Sequence, residues 1–154
     1  MKARMIAVSL LLCFAGAVVC LAENTNMGSW KLNEEKSKFS PGSPKTMTAV
    51  YEAAGDSVKV TLDGTGFDGK PTHNEWTGKF DGKDYPVTGD SNQSARAYTR
   101  VDANTMKFKV KNGDKVILHG SIVLSADGQS RTVTAWGTAA DGTKVSYTAV
   151  YDKQ

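Results

Sequence analysis

Cysteine is confined to the first 20 residues of the chain, as Cys13 and Cys20. Everything downstream therefore lacks a disulfide, a thiol nucleophile and a thiolate metal site. Histidine is nearly as scarce, with only His73 and His119. A hydroxyl nucleophile needs a base held beside it, and no nucleophile elbow accompanies either histidine, which argues against a hydrolase. There is no phosphate-cradling Gly-rich loop, no Cys-x-x-Cys and no EF-hand loop. The Asp-Gly pairs lack the clustered carboxylates that calcium requires. Long apolar periodicity at 3.6 residues is absent after residue 22, so no long helix is expected. Charge of one sign is missing too. Without Lys2 and Arg4 the 19 basic residues fall to 17 against 16 acidic ones. That near balance gives no global case for nucleic acid or an anionic membrane.

What is present begins with a leader. Lys2 and Arg4 precede an almost wholly apolar or small run from Ile6 to Val19, and Cys20-Leu21-Ala22 supplies small residues where a signal peptidase reads. The pattern is that of a secretory signal cut after Ala22, with the run short of the roughly 20 residues that span a bilayer. Val19 is too bulky for the position before a lipidated cysteine. A secreted or periplasmic product with one domain, residues 23–154, is expected, without an integral membrane span. An outer-membrane pore fits poorly, because Lys59, Lys79 and Lys109 would crowd the lipid-facing band.

From Thr46 onward the chain alternates between short strand-like runs and turn signals. These signals are Gly55-Asp56, Asp68-Gly69, Asp81-Gly82, Gly89-Asp90, Asn104, Asn112-Gly113, Asp127-Gly128 and Asp141-Gly142. Such pairs favour tight hairpins because glycine accepts positive φ freely. Strands are expected at Gly28–Asn33, Thr46–Ala53, Ser57–Gly66, Pro71–Phe80, Lys83–Thr88, Ser94–Val101, Thr105–Lys111, Lys115–Leu124, Ser130–Thr138 and Thr143–Asp152. Glu34–Phe39 has the composition of one helical turn before Pro41 and Pro44. Sequential hairpins give an antiparallel up-and-down meander, and closure into a barrel of about 8–10 strands removes its exposed edges. A two-sheet sandwich of the same strands is the alternative.

Hairpin arithmetic assigns faces. A turn centred on Gly69 sets Val58, Val60 and Leu62 against Phe80, Gly78 and Trp76, with Lys59, Thr61, Asp63, His73, Glu75 and Lys79 on the wet side. A turn around Ala103 sets Ala97, Thr99 and Val101 against Val110, Phe108 and Met106, leaving Arg96, Tyr98, Arg100, Lys107, Lys109 and Lys111 outside. In the last hairpins Trp136, Tyr147, Tyr151 and His119 share one face and Leu118, Ile122, Val133 and Val150 the other. The pattern does not decide which of these points inward.

Gly28-Ser29-Trp30, opening the first strand of an exported meander, resembles the Gly-x-Trp opening of the lipocalins and wider calycin barrels. The resemblance implies that Trp30 closes one end of the barrel under a basic residue from late in the chain, Lys153 or Arg131. It also implies small-molecule binding inside the barrel. The run from Gly28 to Val150-Tyr151-Asp152-Lys153 is similar as well to small exported bacterial proteins of unassigned activity.

Three candidate sites follow. Leu62, Trp76, Ala97, Thr99, Met106 and Phe108, with Gly78 and Ala49, would form an inward face mixing large and small side chains. Such a face either holds a small, mostly apolar ligand or simply fills the barrel. Arg96, Tyr98 and Arg100, among the lysines, are possible anion contacts of a basic outer face, a surface for an anionic envelope or polymer partner. His73 and Glu75 share a strand face where they could act as acid and base or begin a metal site. The leading expectation is non-catalytic extracytoplasmic binding of a small apolar ligand, with no cofactor and no metal. The surface module is the alternative.

Overall fold

The computed structural model describes residues 26–154. The leader and its cut after Ala22 lie outside them. The described residues form ten strands: β1 (Gly28–Phe39), β2 (Lys45–Ala54), β3 (Ser57–Thr65), β4 (Pro71–Gly78), β5 (Tyr85–Thr88), β6 (Ala95–Arg100), β7 (Thr105–Asn112), β8 (Lys115–Leu124), β9 (Ser130–Thr138) and β10 (Lys144–Lys153). Every strand pairs antiparallel with its sequence neighbours, and β1 pairs with β10. The meander is therefore a closed barrel, the architecture that the lipocalin resemblance implies, and the sandwich is excluded.

Closure explains the first correction. Glu34–Phe39 is strand, not a helical turn, because β10 needs a partner along its whole length. The pairing runs from Trp30 opposite Lys153 to Asn33 opposite Val150, breaks, and resumes at Lys38 opposite Thr148. The local turn tendency survives inside that break. The Ser37 hydroxyl donates to the Asn33 carbonyl at 2.6 Å and accepts from the Val150 amide at 2.9 Å. The irregularity is thus pinned to both strands, as a β-bulge usually is.

The hairpin registers decide which side chains point in. Around the β3–β4 turn Val60 faces Trp76 and Leu62 faces Asn74, two residues from the expected pairing. A shift of two keeps each side chain on its face. Around the β6–β7 turn Tyr98 faces Phe108 and Arg100 faces Met106, one residue from the expected pairing. A shift of one exchanges the faces. Arg96 and Tyr98 accordingly turn inward with Phe108 and Val110, while Ala97 and Thr99 take the opposite face of the strand, Ala97 covered there and Thr99 exposed. In the last hairpins Arg131, Val133 and Ala135 of β9 face Tyr151, Ala149 and Tyr147 of β10. Tyr147 and Tyr151 are inside, and His119 packs edge-on against the half-exposed Trp136 outside, their rings 4.8 Å apart.

Trp30, Ala49, Val60, Trp76, Met106, Ala135 and Ala149 are the most deeply buried apolar side chains of the core. Gly78, expected to leave room, leaves none. A Cβ there would lie 2.5 Å from the Tyr85 ring and 2.7 Å from Trp76. The rings of Tyr85, Tyr98 and Phe80 pack on Trp76 at 5.7, 4.9 and 6.2 Å. β5 is the thinnest part of the wall, with two register pairs to each neighbour.

Candidate functional site

Up-and-down topology places the chain turns alternately at two ends. The first residues of β1 and the β2–β3, β4–β5, β6–β7 and β8–β9 turns share one end with Trp30. There the Trp30 indole is 1% exposed and donates from Nε1 to the Asn26 carbonyl at 2.9 Å. Both candidate cations reach its ring. The Arg131 guanidinium carbon is 4.7 Å from the ring centre and the Lys153 ammonium 5.5 Å. Arg131 also lies 4.7 Å from the Tyr51 ring and 5.2 Å from the Tyr151 ring. This end is packed shut.

The other end is open. Pro44 of the β1–β2 loop, Gly66 and Phe67 of the β3–β4 loop, and Asp90, Asn92 and Gln93 of the β5–β6 loop rim a cavity. Its walls are Leu62, Phe108, Val110, Leu118, Ile122, Val133 and Tyr147, and Tyr51, Tyr98, Tyr151 and Arg131 line it more deeply. Its volume is about 90 Å³, counted as the space that the centre of a water-sized sphere can occupy. One water needs roughly 10–15 Å³ on that scale. The cavity therefore takes several waters or one small organic molecule.

Two buried arginines face this space, and both are 3% exposed. Arg96 is tethered. Its Nη2 donates to Asn74 Oδ1 at 3.1 Å and to Gln93 Oε1 at 2.6 Å, and Gln93 Nε2 donates onward to Asp90 Oδ2 at 2.8 Å. Arg131 has ring contacts and, among the described residues, no hydrogen-bond acceptor. Nε and Nη1 of both arginines are buried and unpartnered. Tyrosine hydroxyls, with Thr46, Thr65, Thr72 and Asn92, supply the remaining polarity. Burial raises Tyr98, Tyr147 and Tyr151 above the ordinary phenol range, Tyr151 to about 12. They stay neutral through any ordinary pH. The Tyr151 hydroxyl donates to the Thr46 carbonyl at 2.9 Å.

Against the sequence expectations, Leu62 and Phe108 line the cavity, together with Ala49. Trp76 and Met106 are buried in the packed part. Ala97 and Thr99 point away from the cavity, because the β6–β7 register differs by one residue from the expected pairing. The basic outer face loses Arg96 and Tyr98 to the interior for the same reason. Arg100, opposite Met106, sets its guanidinium 5.8 Å from the Phe80 ring, and Lys111 pairs with Asp84. His73 and Glu75 do not act together: His73 Nδ1 meets Asp63 at 2.6 Å, while Lys59 meets Glu75 at 2.6 Å and holds its carboxyl below the usual range. Among the described residues no group of three His, Cys, Asp or Glu side chains could hold a metal ion.

The reading of the sequence missed Tyr51, Asn74 and Tyr151 as cavity residues and took Arg131 only as a cation over Trp30. A signal for Arg131 exists. It stands in phase with Val133 and Ala135, so the apolar face of β9 begins with a charge.

No protein-family model matches the chain, and no curated protein matches it. Solved structures do. One, described as "Structure of EF1p2_mFAP2b bound to DFHBI", is 13% identical over 86% of this chain and 97% of that one, with a TM-score of 0.47. Another, "Structure of a redesigned beta barrel, mFAP1, bound to DFHBI", is 14% identical over the same shares, with a TM-score of 0.43.

Proposed function

We propose that this protein is a non-catalytic binder of a small, mostly apolar molecule, which it holds in the barrel outside the cytoplasm. The observation that carries the proposal is the cavity at one end of an otherwise packed barrel. A barrel filled throughout would have no such space, and here apolar side chains from β3, β7, β8 and β9 surround it. Burial of apolar surface supplies the affinity, at roughly 25 cal/mol per Å². The neutral tyrosine hydroxyls supply orientation. The leader from Lys2 to Ala22 supports the compartment, and the scarcity of histidine with the absence of cysteine after residue 20 supports binding over catalysis.

Native mass spectrometry of the protein purified gently from its own host tests this. The expected result is a reproducible added mass that disappears on denaturation. A bare polypeptide mass, unchanged after incubation with lipid extract, counts against the proposal.

A further inference from the structure

We infer that the outer wall of the barrel carries a second binding site, a groove beside Trp136, and that its partner is an acidic oligosaccharide. One sugar ring stacks on the indole and a carboxylate of the sugar meets Lys38. The site lies on the other side of the wall from the cavity and goes beyond the ligand-binding reading above.

The strand registers build the groove. On the outer face Trp136 of β9 stands opposite His119 of β8 and Ser146 of β10. In the next outward row Thr134 stands opposite Thr148 of β10, and Thr148 opposite Lys38 of β1. The Ser40 amide donates to the Ser146 carbonyl at 2.9 Å, and the Ser146 amide donates to Ser40 Oγ at 2.9 Å. The end of β1 is thus fixed beside β10. Trp136 and Thr134 form one side of the groove, Lys38 and Ser40 the other, with Ser146 and Thr148 between them. On the scale used for the cavity it measures about 340 Å³, the larger figure because it opens to solvent.

These groups suit a sugar. Trp136 is 47% exposed, whereas the other two tryptophans, Trp30 and Trp76, are 1% exposed. An indole face is apolar and carries the negative part of the ring's charge distribution, and the C–H face of a pyranose is apolar and slightly positive. The hydroxyls around a sugar ring need partners that both donate and accept, as serine and threonine do. The side-chain hydroxyls of Thr134, Ser146 and Thr148 have no hydrogen-bond partner among the described residues. His119 packs on Trp136 at 4.8 Å, so the indole is oriented before a ligand arrives.

Charge selects an acidic sugar. β7, β8 and β9 contain no aspartate or glutamate, and β10 has only Asp152, which accepts from Asn33 Nδ2 at 2.7 Å. Across the barrel β2, β3 and β4 carry Glu52, Asp63 and Glu75. Glu34 and Glu35 of the bulge and Asp141 of the last turn are not among the residues that line the groove. Lys38, Lys107 and Lys109 have no ion-pair partner among the described residues. β1 and β7 each lie two strands from β9, so cations flank Trp136 on both sides at roughly 10 Å along the wall. The three rotatable donors of a lysine ammonium take a carboxylate in many orientations. A second copy of this chain suits the groove poorly, because it would set these lysines against its own, and lysine is depleted in the cores of protein interfaces.

Tetragalacturonate, its full methyl ester and tetraglutamate test the assignment. The ester keeps the sugar and removes the charge, and the peptide keeps the charge and removes the sugar. Tetragalacturonate is expected to protect Trp136 from acrylamide quenching and to bind at least fivefold more tightly than the ester, while tetraglutamate gives no protection. In calorimetric titration Trp136→Ala should weaken tetragalacturonate by tenfold or more. Lys38→Gln should weaken it by a smaller factor and bring it closer to the ester. If the Trp136→Ala protein loses its sheet by circular dichroism, Trp136→Phe keeps a ring and should still bind more weakly than the parent protein does.

Tetraglutamate as tight as tetragalacturonate reduces the groove to a basic surface and overturns the inference. An ester as tight as the acid overturns the acidic assignment. Tetragalacturonate affinity that ignores both substitutions overturns the site, and so does the failure of both sugars to bind. Self-association in sedimentation that Trp136→Ala abolishes would give the groove to a second copy and overturn the inference as well. None of these outcomes bears on the cavity, which the native mass spectrum decides separately.

Discussion

At one end of the barrel a buried arginine lies among aromatic rings and has no oxygen acceptor among the described residues; toward the other, a buried arginine is tied by two amide side chains, one of them bonded to a carboxylate at the rim. The surroundings differ in the same way. Around Arg131 the space is taken by Trp30, Tyr51 and Tyr151, and the last ladder pairs of β1 and β10 close over it. Around Arg96 the neighbours are Asn74, Gln93 and the open loop from Gly89 to Ser94. The packed end is where removal of atoms should cost stability. The open end is where side chains can be enlarged with little structural penalty. Substitutions at the two ends should therefore separate into effects on folding and effects on binding.

Trp30→Ala is the strongest test of the packed end. The indole is fully enclosed, and its loss leaves a void under Arg131 while removing the bond to the Asn26 carbonyl. A destabilisation of about 3–5 kcal/mol is expected for a buried tryptophan, measured by urea denaturation. An unchanged melting temperature would show that Trp30 does not close the barrel.

Gly78→Ala is next. The added methyl would meet the Tyr85 and Trp76 rings at distances real Cβ atoms do not tolerate. Crowding of this kind costs about 1–3 kcal/mol. If the variant melts with the parent protein, the aromatic cluster around Trp76 is looser than its packing implies.

Alkaline titration reads the tyrosines. Burial is the main reason that Tyr98, Tyr147 and Tyr151 resist ionisation, with Arg96 opposing it at Tyr98 and Tyr147, and Arg131 at Tyr151. The folded state favours the neutral phenol, whereas an unfolded chain ionises near pH 10. The stabilisation from Tyr151 is therefore complete below about pH 10 and disappears as pH rises towards about 12. The phenolate absorbance of these three should appear only with loss of the far-ultraviolet sheet signal. Ionisation of Tyr98, Tyr147 and Tyr151 near pH 10 with the sheet intact would mean that the interior is wet.

The same contrast explains what could be read in the sequence. Turn residues announce where strands end, so the ten strands and their order were legible from the Asp-Gly and Asn-Gly spacing. Inward faces were legible only where the register was right modulo two. The β3–β4 pairing tolerated a two-residue error, and Leu62 stayed inside. The β6–β7 turn has no glycine to centre it, and a one-residue error moved Arg96 and Tyr98 to the wrong side of the wall. Pattern alone also favours that error, since an arginine in a strand reads as exposed. Arg131 was visible as a cation for Trp30 from the lipocalin resemblance, but its unpartnered Nε and Nη1 depend on what β1, β2 and β10 place around it. The bulge between Asn33 and Lys38 was legible as a turn and not as a strand, because its pairing partner lies more than 100 residues away.

Phe108→Trp acts on the open end and should change stability least. Phe108 lines the cavity and sits tilted on Tyr98, with ring centres 6.3 Å apart. An indole at this position extends into existing space, so it need not displace the packed rings around Trp76. Filling a cavity commonly adds about 0.5–2 kcal/mol or changes nothing. Ligand retention should fall sharply, because a cavity of about 90 Å³ has little volume to give away. Tm and the bound mass in a native spectrum must be followed together. A stable variant that has lost the added mass places the ligand beside Phe108. A stable variant that keeps it moves the ligand elsewhere and leaves the cavity as solvent. A variant that unfolds shows that the wall around Phe108 is packed as tightly as the floor around Trp30, and the distinction between the two ends is then lost.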